Sequence, residues 1–187
     1  MKKIILLVGT LLLSANVYAR EVGEVKVADS VQLGTETLQL NGAGTRTKVI
    51  MDIYVAALYL GKKTDKAEEV LADAGAKRMA LHMVYGMSSS KLQDAFKKGI
   101  EENHTADELA ALDAPLKKFY EIFGALPSVN KGDIILLDYV PGVGTKVIVN
   151  GAERGLVEGA EINRAILKIW LGNEPVQKDL KKDLLRG

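Results

Sequence analysis

Residues 40–60 of the 187-residue chain read LNGAGTRTKVIMDIYVAALYL, and this stretch indicates a β-rich fold. From Thr45 to Tyr59 it is rich in β-branched and tyrosine residues and holds no glycine or proline, which predicts one long strand. Asn41-Gly42 before it is a strong turn pair. Because side chains alternate along a strand, Arg46 and Tyr54 should share the more polar face, with the other face on the core.

Beyond this stretch, the predicted elements come in blocks of one type. A second strand is predicted over residues 77–85, and helices then begin at the capping boxes that Ser90 and Thr105 open. Strands separated by turns then return, and the chain ends in helices. Blocks in this order favour an α+β fold over a parallel α/β sheet. The other predictions are strands over 133–139, 146–149 and 153–157, with a turn at Asn150-Gly151, and helices over 64–74, 160–171 and 178–185.

The first 19 residues have the order of a secretory signal peptide. Lys2 and Lys3 precede the apolar run Ile4–Leu13, and small residues at positions 17 and 19 follow as a cleavage site. The run is too short for a membrane anchor, which needs about 20 apolar residues. We therefore predict a cleavable signal over residues 1–19 and one domain over residues 20–187. The lysine-led signal and the absence of cysteine favour the bacterial periplasm.

Composition excludes several classes of partner. Lys and Arg total 25 against 24 Asp and Glu, so no basic excess exists to bind nucleic acid. No later apolar stretch is free of charge, so we expect no membrane span in the mature chain. The sequence does not indicate an oligomeric state or a protein partner.

Metal, cofactor and nucleophile motifs are also missing. The chain has two histidines, His82 and His104, and no cysteine, so we expect neither a metal site nor a cofactor. Ser88-Ser89-Ser90 is better explained by helix capping than by catalysis. Gly42-Ala43-Gly44 lacks a third glycine and precedes a strand, so it predicts a tight turn rather than a phosphate loop.

Arg46 is the one residue that the pattern alone singles out for binding. It follows the predicted turn and opens the long strand, beside the polar Lys48, Asp52 and Tyr54. A guanidinium there can hold a carboxylate or a ketone oxygen through a bidentate fork. The alternative is a surface arginine paired with Asp52 or another exposed acid.

Residues 40–46 (LNGAGTR) and 54–60 (YVAALYL) resemble the chalcone isomerase family, especially its bacterial exported branch. The resemblance extends from about residue 27 to residue 185. It implies an open-faced β-sandwich, in which a large curved antiparallel sheet is covered by a layer of helices, with a ligand cleft between them. Four shorter motifs are also similar: residues 131–133 (KGD), 139–142 (YVPG), 149–151 (VNG) and 169–172 (IWLG).

The resemblance implies a binding role more readily than catalysis. Arg46 matches the arginine that supports the ketone oxygen in plant chalcone isomerases, whereas Tyr54 replaces a threonine. Leu92 and Gly99 stand near the catalytic tyrosine and asparagine of the plant enzymes, so no confident catalytic residue is identified. Other family members bind fatty acids through the arginine and a tyrosine. This similarity implies a pocket for a small apolar acid, formed by Arg46, Tyr54, Tyr85, Leu92 and Phe96.

Two alternatives remain at this point. One is an isomerase, or intramolecular lyase, that acts on an enone-like substrate and depends on Arg46. The other is a structural or partner-binding protein whose cleft is filled by its own side chains. In that case Trp170 and the charged tail over residues 178–186 would form a contact surface.

Overall fold

The computed structural model describes residues 19–187, so the predicted signal peptide lies outside the described residues except for Ala19. The strands in this part of the chain are β1 (Ala19–Val22), β2 (Val25–Ala28), β3 (Ser30–Leu33), β4 (Glu36–Lys48), β5 (Met51–Leu60), β6 (Lys77–Met83), β7 (Met87–Ser88), β8 (Ser128–Val129), β9 (Ile134–Val140), β10 (Gly144–Val149) and β11 (Ala152–Val157). The helices are α1 (Ala67–Ala72), α2 (Ser89–Glu101), α3 (Ala106–Ala111), α4 (Asp113–Gly124), α5 (Ala160–Leu171) and α6 (Lys178–Leu184).

One curled antiparallel sheet of seven strands organises the domain, in the order β11-β10-β9-β6-β5-β4-β3. Helices cover one face of this sheet, and the short β1–β2 hairpin packs on the other face. This arrangement confirms the predicted α+β class and the curved sheet under a helical layer.

The larger core lies between the sheet and the helices. Its aromatic centre consists of Phe96 from α2, Phe119 and Phe123 from α4, and Trp170 from α5. Phe96 packs edge-on against Phe123 with ring centroids 4.8 Å apart, and against Trp170 at 6.1 Å. Edge-to-face pairs of this kind add to the stabilisation from burial alone. The centre of the domain is therefore tightly filled.

The predicted long strand over residues 45–59 is wrong, because the chain reverses at Val49 and Ile50. Lys48 of β4 pairs with Met51 of β5, which makes the segment a hairpin. Val49 has φ 60°, a value that β-branched residues rarely adopt. The turn was hidden because neither asparagine nor glycine stands at this position.

The turn predicted at Asn41-Gly42 is also wrong, because both residues lie inside β4, where Gly42 pairs with Leu58. The buried Asn41 amide donates to the carbonyl oxygen of Leu184 at 2.8 Å and to that of Thr64 at 3.0 Å. A Cβ added at Gly42 would lie 2.2 Å from the carbonyl oxygen of Asp183. The missing side chain therefore allows helix α6 to approach the strand backbone.

Helix boundaries differ in two places from those predicted. Ser88, rather than Ser90, caps α2, since its hydroxyl accepts from the amide of Lys91. The predicted single helix after Thr105 divides at Leu112 into α3 and α4. The Thr105 capping box is confirmed, because Thr105 and Glu108 each accept from the other's backbone. The Asn150-Gly151 turn is confirmed as well, with φ 52° and 78°.

We predict that Gly42→Ala destabilises the domain by about 1–3 kcal/mol, because the new methyl group must push α6 away from β4. Urea denaturation measures the difference. Gly61→Ala is the matched control, since Gly61 has no heavy atom within 4 Å of the added Cβ and no positive φ. An equal effect of both changes would contradict the close approach.

Candidate functional site

Arg46 and Tyr54 form the polar pair at the end of the sheet. They are direct partners across β4 and β5, so their side chains leave the same face of the sheet. A bulge follows at once, because Thr47 pairs with Asp52 and leaves Ile53 unpaired. Arg46 is half-buried and Tyr54 is 7% exposed. The sequence prediction that these two residues share a face is confirmed. The prediction that the opposite face meets the core is wrong, because the larger core lies on the Tyr54 side of the sheet and the side of Val55 meets only the smaller one.

The Arg46 guanidinium is held by neutral groups. Its Nη1 donates to the Thr47 carbonyl oxygen at 2.7 Å and to Gln177 Oε1 at 3.1 Å. Gln177 is the N-cap residue of α6, and its Oε1 also accepts from the Thr47 amide at 2.9 Å. The docked helix therefore fixes the orientation of the arginine.

The other edge of the guanidinium remains available. Within residues 19–187, no group accepts a hydrogen bond from Arg46 Nε or Nη2, and no carboxylate forms an ion pair with Arg46. No buried side-chain nitrogen in this part of the chain lacks a partner, so both atoms reach solvent. Asp52, the predicted alternative partner, accepts instead from Thr47 Oγ1 at 2.6 Å. Nε and Nη2 together make one edge for bidentate carboxylate binding.

Tyr54 adds a neutral hydroxyl beside this cation. The Trp170 indole Nε1 donates to the Tyr54 oxygen at 3.0 Å. Burial raises the pKa of Tyr54 to about 12, although the Trp170 hydrogen bond and the Arg46 charge both lower it. The hydroxyl therefore keeps its proton at neutral pH. Among the described residues nothing accepts that proton, so Tyr54 can donate it to a ligand oxygen.

Leu92 and Phe96 lie in the packed interior rather than on an open wall. They are 2% and 3% exposed, and Phe96 contacts Trp170, which itself bonds to Tyr54. Gly99 is equally enclosed, because an added Cβ would lie 2.9 Å from Ile169 Cγ2. In this structure the layer between sheet and helices is occupied by side chains.

Tyr85 lies apart from the buried aromatic residues. It is 47% exposed, and its amide donates to the Ile53 carbonyl oxygen at 3.1 Å, at the end of the sheet that carries the β4–β5 turn. Surface cavities of about 460, 250 and 640 Å³ lie elsewhere, and neither Arg46 nor Tyr54 lines any of these three.

Gln177 and Trp170 are the site residues that sequence reasoning missed. Gln177 stands in a polar segment with no motif, so no signal in the sequence pointed to it. Trp170 is the only tryptophan of the chain and lies on the predicted helix over residues 160–171 at apolar spacing from Ile162, Ile166 and Ile169, which is the signal for burial. The suggested role of Trp170 in a contact surface is wrong, because its side chain is fully buried.

The described residues offer little for other chemistry. Within residues 19–187, no group of three histidine or acidic side chains is placed to hold a metal ion. No helix in the same range is long and apolar enough to cross a membrane.

Comparison with known proteins identifies relatives by family and by fold. The model of the family described as chalcone isomerase-like matches residues 19–186. The crystal structure of the Arabidopsis thaliana fatty-acid binding protein AtFAP1 is similar, with a TM-score of 0.67 and 19% sequence identity over 90% of this chain and 96% of that chain. At that identity the likeness shows the fold. No curated protein matches the chain in sequence.

We predict that Tyr54→Phe weakens the loss of stability at alkaline pH. The folded pKa of about 12 lies above the ordinary 10.0 of the unfolded chain. Below pH 10 both states keep the Tyr54 proton, and the neutral phenol makes its full contribution to the free energy of unfolding. That contribution, about 2–3 kcal/mol, disappears as the pH rises towards 12.

Denaturation of both proteins from pH 9 to about 12 tests this. Tyr59 and Tyr120, whose pKa burial also raises to about 12, are present in both proteins and cancel in the difference. Parallel stability curves would contradict the buried position of Tyr54.

Proposed function

The chain belongs to the chalcone isomerase-like family, and from this premise we propose that it is a non-catalytic binding protein for a fatty-acid-like or other apolar carboxylate. The ligand carboxylate binds at Arg46, and its apolar tail lies between the sheet and the helices. We further propose that residues 1–19 direct export, so that binding takes place in the periplasm.

The available edge of Arg46 is the observation that carries this proposal. Gln177 and Thr47 occupy Nη1 only, so Nε and Nη2 can donate together to one carboxylate. Tyr54, the cross-strand partner of Arg46, can donate its buried hydroxyl to the same head group once the aromatic layer opens. A half-buried cation with neutral partners favours an anionic ligand, because a carboxylate supplies the charge that its surroundings lack.

The apolar tail requires a change in the interior. Phe96, Phe123 and Trp170 fill the layer below Tyr54, so a tail enters only when these side chains move apart. Because only the fraction of molecules in the open arrangement can bind the tail, the apparent affinity is lower than the affinity of the open arrangement itself. AtFAP1, which shares this fold, is a fatty-acid binding protein, and this supports the same ligand class here.

The helical cover supports binding without catalysis. Leu92 and Gly99 of α2 are both buried and apolar, and Gly99 is pressed against Ile169. They stand near the positions that carry the tyrosine and asparagine of the plant enzymes. Without polar groups there, α2 cannot orient a reacting enone, whereas an apolar surface suits an acyl chain.

We predict that Arg46→Ala weakens binding of a medium-chain fatty acid by about 1.5–3 kcal/mol, the range for hydrogen bonds to a charged group, or roughly 10- to 150-fold. Isothermal titration calorimetry measures the affinity. Lys48→Ala is the matched control. Lys48 is exposed and lies two residues from Arg46 on the same strand, so its replacement removes the same charge without touching the site.

Lys48→Ala should bind nearly as well as the unaltered chain. Unchanged affinity in Arg46→Ala would remove Arg46 from the site. An equal loss of affinity in both variants would mean that Arg46 contributes only a general electrostatic attraction for the anionic ligand.

The packed interior favours one second candidate, a partner-binding protein whose cleft is permanently filled. The aromatic contacts of Phe96 with Phe123 and Trp170 are the observation behind it. Native mass spectrometry with lipid extraction separates the two. A discrete co-purified acid supports the carboxylate-binding function, and a ligand-free mass that persists after incubation with fatty acids supports the filled cleft.

A further inference from the structure

Exposed apolar side chains gather at one end of the sheet. Six large apolar residues are exposed in the described part of the chain, and five of them belong to this end: Val49, Ile50, Met51, Tyr85 and Ile134. The sixth, Val143, lies in the turn after β9, at the opposite end. Strand register establishes the grouping, since Tyr54 pairs with Met83 and His82 pairs with Ile134.

The β4–β5 turn is the most exposed part of this end. Val49 and Ile50 are 92% and 90% exposed, and Met51 is 45% exposed. Regular pairing of β6 with β5 stops at Tyr54, so the turn extends beyond its neighbouring strand. We call residues 49–51 the hairpin tip.

The composition of the hairpin tip is costly for a folded protein in water. Val49 adopts φ 60°, which a β-branched residue tolerates poorly, and a hairpin turn of this kind normally has glycine there. The same chain uses Asn150-Gly151 at its β10–β11 turn, where the positive φ values cost little. Strained backbone together with two exposed aliphatic side chains indicates that the tip has a function outside the fold.

We propose that the hairpin tip inserts into the surface of a lipid bilayer. This inference rests on the proposed function, because a bilayer is the phase into which fatty acids partition. Val49, Ile50 and Met51 would enter the acyl boundary, and Tyr85 would lie at the level of the head groups, where tyrosine is enriched.

The distance from the tip to the binding site supports a bilayer as the occupant. Arg46 precedes Val49 by three residues of β4, which is about 10 Å along a strand. Apolar residues of interfacial segments enter the bilayer by about 5–10 Å. Insertion of the tip therefore places the open edge of Arg46 at the depth of lipid carboxylates, which is the position for taking up a fatty acid.

A protein partner fits the tip less well than a bilayer. Stable protein interfaces bury about 800 Å² on each side in a well-packed patch. The five exposed apolar side chains at this end are far fewer than the roughly 20–30 residues that such an interface uses on each side, whereas a fluid acyl phase needs no matching surface. Lys48 and Asp52 flank the tip with opposite charges, so binding should depend on apolar insertion and only weakly on salt.

Fluorescence of a labelled tip tests insertion directly. The chain has no cysteine, so Ile50→Cys can be labelled at one site with a polarity-sensitive dye. On addition of phosphatidylcholine vesicles, we expect a blue shift and quenching by brominated lipid. The same dye at Val143→Cys is the matched control and should remain in water. A dye at position 50 that reports water while the protein is bound to vesicles would overturn the proposal.

Vesicle flotation supplies the second measurement. The double variant Val49→Ser, Ile50→Ser should lose at least about tenfold in partitioning, and Val143→Ser should not. A dimer in solution that the double variant converts to monomer, without any vesicle effect, would assign the tip to a second copy of the chain instead.

Calorimetry with a water-soluble short-chain fatty acid separates this inference from the proposed function. The double variant should bind that ligand as the unaltered chain does, since binding from water needs no bilayer. Insertion of the tip without any fatty-acid binding would overturn the proposed function but would still support membrane insertion of the tip.

Discussion

The close approach of helix α6 to strand β4 is the constraint on which the site depends. Gly42 and Gly44 remove the side chains that would keep the helix away, since a Cβ at Gly44 would lie 2.6 Å from Asp183 Cβ. Asn41 then bonds to the end of the helix, and Gln177 at its beginning bonds to Arg46. A guanidinium on a strand end is ordinarily mobile, and the docked helix gives this one a single orientation.

The fixed orientation of Arg46 connects the fold to recognition. Internal bonds occupy one nitrogen and leave the outer edge open, while Tyr54 contributes a hydroxyl that stays protonated. Below them the aromatic residues fill the layer where a ligand tail would lie. For the proposed ligand, the site is therefore ready at its polar end and closed at its apolar end, so the affinity that we propose depends on how easily the aromatic layer opens.

The sequence predicted the fold well where local physics decides the structure. The Thr105 capping box and the Asn150-Gly151 turn formed as expected, because each is stabilised by its own neighbours. The turn prediction at Asn41-Gly42 failed for the opposite reason. The conformation of this pair is set by contact with a helix far away in sequence, since Asn41 and Leu184 are 143 positions apart. Residues 45–59 concealed a turn because Val49 is an unlikely residue for one. Alternation predicted that Arg46 and Tyr54 share a face, and this outcome survived the error because the bulge at Ile53 shifts the register by one residue. The contact of Arg46 with Gln177 was not predictable.

The central claim is that a ligand carboxylate binds the outer edge of Arg46. The most direct measurement is NMR of the Arg46 Nε–H group in an arginine-labelled chain during titration with a medium-chain fatty acid. We expect this resonance to shift downfield and saturate together with ligand binding, because Nε donates to the carboxylate. An Arg46 resonance that stays unchanged while the fatty acid binds would contradict the account.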